Sequence, residues 1–196
     1  MLVWLDLETT GLNAREDDIL EVAAILTTDK LERIADFQAV VYSPACREVL
    51  EPASYFPHGK HTSKEVVEMH TKSGLWQLVR YGQNIHTVDA DLANLIVNNK
   101  GDNEKVMLAG SSIWFDKSFM ARQMPRALAE MTYRVIDVSS IHETARLFFP
   151  GIHAKAPECK DKLHRAMVDI TDSLELYRYY ISRLGCPVYE RDAIDL

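Results

Sequence analysis

Three strand-length apolar segments come first in this chain, at residues 2–7, 21–28 and 35–42, and only then does the pattern turn to helices alternating with strands. The second and third are separated by no more than a polar turn at 29–33. Helical spacing follows at 63–72 and 88–99, where Leu92, Leu95 and Ile96 share one face. Beyond a polar break at 101–105, residues 106–109 predict a fourth strand ending at Gly110. A helix is expected over 116–131 with an interruption at Pro125, then a fifth strand at 134–138 and a helix at 139–148. Residues 150–162 are rich in Pro, Gly and charge and are read as a loop, and 163–184 as a long final helix stopped by Gly185 and Pro187. Successive strands followed by alternation imply an α/β fold, a mixed sheet with helices on its faces.

A length of 196 residues suits one domain, taken as 1–196. No stretch approaches the eighteen or so uncharged apolar residues of a membrane span, so no membrane partner is expected. Met1 to Leu5 are apolar but run straight into Asp6 and Glu8, unlike a secretory signal, and the chain is read as starting inside the fold. Cys46, Cys159 and Cys186 are scattered, without a CxxC pair, which argues against a disulfide framework or zinc knuckle and fits a reducing, cytoplasmic setting. The net charge of −7 excludes a strongly basic footprint for long nucleic acid. An acidic protein that holds divalent cations can still bind a short nucleic acid through them.

Three carboxylate elements carry the chemistry. In WLDLETTGL (4–12), Asp6 and Glu8 stand two apart on a strand and point to one face, where hard oxygen ligands suit Mg²⁺ or Mn²⁺. In GSSIWFDKSF (110–119), Asp116 opens a helix. In HRAMVD (164–169), His164 and Asp169 are expected near the start of the last helix, roughly 140° apart around its axis. His164 is the natural general base, since an unperturbed imidazole titrates near neutrality. Taken singly, each element also reads as ordinary structure: a solvated strand end, a helix N-cap, and a surface pair on an amphipathic helix. Together, Asp-x-Glu in the first strand, Asp midway and His-x₄-Asp in the last helix form the DEDDh exonuclease pattern.

The likeness extends to HTKSGL (70–75), TYRVIDVSS (132–140) and HRAMVDITDSLELYRYY (164–180), in which the chain resembles the oligoribonuclease family from Val3 to about Tyr180. The resemblance implies a ribonuclease H-like fold with a five-stranded mixed sheet. It implies two Mg²⁺ or Mn²⁺ ions held mainly by Asp6, Glu8 and Asp169 with Asp116 completing the set, and 3′→5′ hydrolysis of di- to pentaribonucleotides to nucleoside 5′-monophosphates, with His164 as base. It also implies a homodimer with shared active sites. In that arrangement Ser112 and His70 would cap the substrate within a subunit, Tyr133, Arg134 and Ser139 would come from the partner, and Leu12 would form an apolar wedge. Two departures stand out. Where the family carries a base-stacking Trp this chain has Glu65, with Tyr55, Phe56 or Trp76 as candidate substitutes, and where it carries Asn this chain has Ser111. A DEDDh DNA exonuclease of proofreading type and a non-catalytic binding module on the same fold are the alternatives; the filled catalytic positions argue against the second.

Overall fold

The computed structural model describes residues 1–50, 62–102, 104–158 and 164–183. Its strands are β1 (Leu2–Thr9), β2 (Ile19–Thr27), β3 (Arg33–Val40), β4 (Val106–Gly110) and β5 (Met131–Asp137). They form one sheet in the order β3-β2-β1-β4-β5. The first three pair antiparallel, while β4 lies parallel to both β1 and β5, so the sheet is mixed as expected. The helices are α1 (Ala45–Leu50), α2 (Lys64–Lys72), α3 (Leu75–Val79), α4 (Ile85–Asn99), α5 (Trp114–Gln123), α6 (Pro125–Ala129), α7 (Val138–Phe148), α8 (Pro150–His153) and α9 (Ala166–Arg183).

The period-two alternation of a strand sorts β1 between two cores. Val3, Leu5 and Leu7 enter one cluster with Val88, Leu92 and Ile96 of α4 and Phe119 and Met120 of α5. Leu2 and Trp4 enter the other, with Val138 of α7 and Ala166, Ile170 and Leu174 of α9. Asp6 and Glu8 continue the second face past the end of its apolar packing, and so point toward the side that α9 covers. The α9 stripe of Ala166, Ile170, Ser173 and Leu174 has the spacing of a helix face buried against a sheet. A third cluster joins Leu20, Cys46, Leu75, Trp76 and Val79 beneath α2.

Several expected boundaries shift. The helix expected over 116–131 is two helices, α5 and α6. Pro125 begins the second, where its missing N–H costs nothing, and the buried Asp89 carboxylate accepts the N–H groups of Arg126 and Ala127 at 3.1 and 2.8 Å. Met131, placed in that helix by the sequence, starts β5 instead. Val138, read as strand, opens α7, because the Asp137 side chain caps the helix by accepting the Ser139 N–H. The loop read at 150–162 contains the short α8, and α1 and α3 were not anticipated. Helix α9 begins at Ala166, so His164 lies outside it with a left-handed φ of 47°, and the helical spacing assumed for His164 and Asp169 does not apply. Leu163 and Leu184, the ends read for that helix, lie outside the described residues, as do Cys159 and Cys186. Among the described residues no helix is long and apolar enough to cross a membrane.

At the end of β4 a Cβ on Gly110 would lie 2.6 Å from the Leu5 carbonyl oxygen, so the two parallel strands approach there as only glycine allows. Gly110→Ala is expected to destabilise the protein by about 1–3 kcal/mol, since backbone rather than a flexible side chain must yield. A urea midpoint that falls with an unchanged slope would show it; an unchanged midpoint would contradict the close approach.

Candidate active site

Four elements meet at one end of the sheet: the end of β1, the start of α5, the start of α9, and α2. Asp6, Glu8 and Asp169 each offer a carboxylate oxygen, and these atoms lie within 4.8 Å of one another. Asp116 sits in the first turn of α5, two residues inside it rather than at its cap, and its Oδ1 accepts the buried Leu7 N–H at 3.0 Å. All four carboxylates line a cleft of about 510 Å³, together with His164, Leu12, Ser112 and Trp114. Every candidate catalytic residue of the sequence is thus brought to one place.

Crowded carboxylates with little water raise one another's pKa. Burial, then the charges of Asp169 and Glu21, push Glu8 up to about 8. Burial pushes Asp116 up to about 7 even though backbone N–H groups, that of Leu7 among them, oppose it. Asp6 is raised well above the carboxylate range by burial and then by Asp116, Glu8 and Asp169. Asp169 is raised by burial, against the pull of His164. All-oxygen donors at this separation that resist ionising together are the donor set a hard divalent cation neutralises, and Mg²⁺ or Mn²⁺ fits them.

What fixes Asp169 and His164 is a contact that sequence reasoning missed. Glu21 of β2 is registered opposite Glu8 and is fully buried. The Arg165 guanidinium donates to it through Nη2 at 2.6 Å and through Nε at 3.0 Å, the Ala166 N–H donates at 3.1 Å, and the Gln38 amide donates at 3.0 Å. Burial alone would raise the Glu21 pKa, but these donors hold it below the ordinary glutamate value. The signal was there: Glu21 is the one charged residue in the apolar run ILEVAAILT, and Arg165 adjoins His164. Ser112, like His164, has a left-handed φ, of 50°, so both sit in a conformation that non-glycine residues seldom adopt and that surrounding contacts must enforce.

The residues expected to touch substrate divide. Leu12 is 85% exposed at the mouth of the cleft. Ser112 lines it, and its hydroxyl lies 3.1 Å from that of Ser139 in the same chain, so this serine pair is already complete within one subunit. Ser111 shares a 2.8 Å hydrogen bond with Ser173, tying the end of β4 to α9. His70 is fully buried and is not among the residues that line the cleft. Its Nε2–H donates to the Thr9 carbonyl at 3.0 Å, while its Nδ1 lies 3.9 Å from Glu8 Oε2, beyond hydrogen-bond distance. Burial lowers its pKa, in keeping with a neutral ring. Tyr133 and Arg134 lie on the β5 edge, with the guanidinium 5.6 Å from the Tyr133 ring centroid, and line a different hollow with Met1, Asp29 and Thr132. Trp76 cannot stand in for the family's stacking Trp: it is buried against His70 with its indole N–H on the Val67 carbonyl. Tyr55 and Phe56 lie outside the described residues, and Glu65 is exposed on α2.

Raised carboxylate pKa values set a pH dependence with a definite sign. The folded protein keeps protons on Asp6, Glu8, Asp116 and Asp169 that the unfolded chain has released, so stability falls as pH rises from the ordinary carboxylate range toward about 8. Glu21 acts oppositely, and its contribution is lost only as pH falls below about 4.5. Chelator-treated protein is therefore expected to lose about 5 °C or more of Tm between roughly pH 5.5 and 8.5, and Asp6→Asn or added Mg²⁺ to flatten that slope. A chelator profile that is already flat would mean the cluster ionises without strain.

Residues 3–177 match the exonuclease family model RNase_T. The oligoribonuclease of Streptomyces coelicolor is 34% identical over 187 residues, 95% of this chain and 88% of that protein. That of Leifsonia xyli is 35% identical over 180 residues, 91% of this chain and 81% of that protein. Among solved structures, E. coli exonuclease I in complex with a dT13 oligonucleotide carrying a 5cy group superposes with a TM-score of 0.66 at 16% identity, covering 93% of this chain but only 40% of that one; at this identity the likeness speaks for the fold alone.

Proposed function

The chain belongs to the oligoribonuclease family, and from that premise we propose that it is a 3′→5′ exoribonuclease that hydrolyses short single-stranded RNA, di- to pentanucleotides, to nucleoside 5′-monophosphates. The observation that carries this reading is the convergence of Asp6, Glu8 and Asp169 within 4.8 Å, in one cleft with Asp116 and His164. We read residues 1–196 as one exonuclease domain and the cytoplasm as its compartment.

Asp6, Glu8 and Asp169 would hold two Mg²⁺ or Mn²⁺ ions, with Asp116 completing the set. Bound there, such ions polarise a phosphodiester and make hydroxide available near neutral pH. The protein supplies the rest. His164, held at the cleft by its left-handed backbone, takes the proton of the attacking water and must be neutral to do so. Asp116 binds the Leu7 N–H with one oxygen and so keeps the end of β1 fixed against α5. Leu12 wedges the substrate at the open side, and the Ser112–Ser139 pair offers hydroxyls to its far end. His70 holds the Thr9 carbonyl, next to Glu8, in place from the interior.

End-labelled RNA of two to twenty nucleotides, run beside matched single-stranded DNA with Mg²⁺ or Mn²⁺, tests the whole reading. Products shortened from the 3′ end, with the shortest RNAs cut fastest, are expected; a clear preference for DNA would replace this reading with a DNA exonuclease. Asp169→Ala should abolish turnover in a folded protein. His164→Ala should lower kcat by about 10²–10⁴-fold with little change in metal affinity, and raised pH should restore part of it. Wild-type turnover in either variant would remove that residue from the mechanism.

We further propose that the active form is a two-fold dimer in which Tyr133 and Arg134 of each subunit reach the other's cleft. Their position on the exposed β5 edge, away from their own cleft, supports this, and the planar Arg134 guanidinium suits a terminal phosphate. Mixing Asp6→Ala with Arg134→Ala protein should then regain activity, because a mixed dimer holds one complete site. No recovery despite demonstrated subunit exchange would reject shared sites.

A further inference from the structure

The cleft has a feature that the proposed chemistry leaves unused. Trp114, the first residue of α5, lines it two residues before Asp116 and is 67% exposed, while Trp4 and Trp76 are 0% exposed. Among the described residues its ring has one aromatic neighbour. It stands edge-on to Phe115, with centroids 6.1 Å apart and planes at 85°, and Phe115 rests at 4.9 Å on the fully buried Phe119. Leu12, Val66 and Met69 line the same cleft, so the carboxylates are bordered by apolar surface rather than by positive charge. None of the described residues that line it is Lys or Arg.

In a protein of net charge −7, the residues of a subunit that line its own cleft cannot draw a short RNA in by coulombic attraction. Beyond the Ser112–Ser139 hydroxyls and the arginine donated across the dimer, the affinity that the lining residues can add comes from the flat, uncharged part of a nucleotide, and an exposed indole is the group that offers it. Resting on the exoribonuclease reading, we propose that Trp114 is the base-stacking platform of this site, taking one unpaired nucleobase of a short RNA whose scissile phosphate lies at Asp6, Glu8 and Asp169. The ring binds and orients; it takes no part in proton transfer.

Two measurements test this on the full chain. Because Trp4 and Trp76 are buried, solvent-accessible tryptophan emission belongs to Trp114. Stopped-flow mixing of Mg²⁺-loaded protein with a diribonucleotide should quench that emission, with recovery as substrate is consumed. Trp114→Ala should raise KM for diribonucleotides roughly 5- to 150-fold, the worth of one base–aromatic contact, with kcat little changed. Trp114→Phe, which keeps an aromatic face, should stay within about threefold of wild type. Of two diribonucleotides made abasic at one residue or the other, one should lose its sensitivity to Trp114→Ala. An unchanged KM in Trp114→Ala, with hydrolysis intact, would overturn the platform and leave the exoribonuclease reading standing. Conversion of a dimer to monomers by that substitution would assign the ring to a second copy of the chain and also overturn it. Absence of hydrolysis of any short RNA by the wild-type protein would overturn both.

Discussion

The bidentate pair between Arg165 and Glu21, 144 residues apart, is the contact on which the site depends. Glu21 is buried in the second strand of the sheet, beside Glu8, where a carboxylate without donors would be a heavy liability. It accepts from Arg165, from Gln38 and from the first N–H of α9, so all its lone pairs are used and the last helix is pinned at its beginning. Breaking one partner of such a pair costs about 3–5 kcal/mol, because the other charge is left in the interior. The pair therefore does what apolar packing of α9 alone could not. Packing fixes which face of the helix meets the sheet; a directional pair at its first turn fixes where along the sheet the helix starts, and with it where Asp169 and His164 stand.

That placement opposes local preference at nearly every point. Four carboxylates share a cleft and hold protons there, Glu8 up to about 8 and Asp116 up to about 7. Ser112 and His164 hold a left-handed backbone that costs of order 1–3 kcal/mol each. Gly110 allows β4 to come close to β1. Such conflicts gather where chemistry is done, and the two surrounding apolar clusters, continuous through β1 and β2, are what tolerate them.

The sheet was legible because a short continuous apolar run bounded by turn residues is a local signal. Residues 2–7 and 106–109 are apolar on both faces because, as strands, they send alternate side chains into opposite cores. The carboxylates were legible because strand spacing puts Asp6 and Glu8 on one face whatever the rest of the fold does. His164 was misplaced for the converse reason. Its left-handed turn directly precedes Arg165, whose partner Glu21 is 144 residues away, and nothing within a few residues of it announces that. His70 reads as a polar residue on a helix, and only the packing of α3 beneath α2 reveals that Trp76 closes over it. Trp114 escaped notice because a large apolar residue ahead of a helix ordinarily signals core, and exposure is a property of the assembled fold.

The order in which the ligands occur along the chain has a consequence for synthesis. Asp6 and Glu8 emerge first from a ribosome, Asp116 much later, and Asp169 only with α9. Pairing of β1 with β4 and capping of Glu21 by Arg165 both wait for chain far downstream. Contacts of such sequence separation form late and slowly. A nascent chain that has folded only its β1–β3 meander holds Asp6 and Glu8 without Asp169. The carboxylate cluster of Asp6, Glu8 and Asp169 is incomplete until α9 has been made, so a nascent chain that lacks α9 lacks the assembled site.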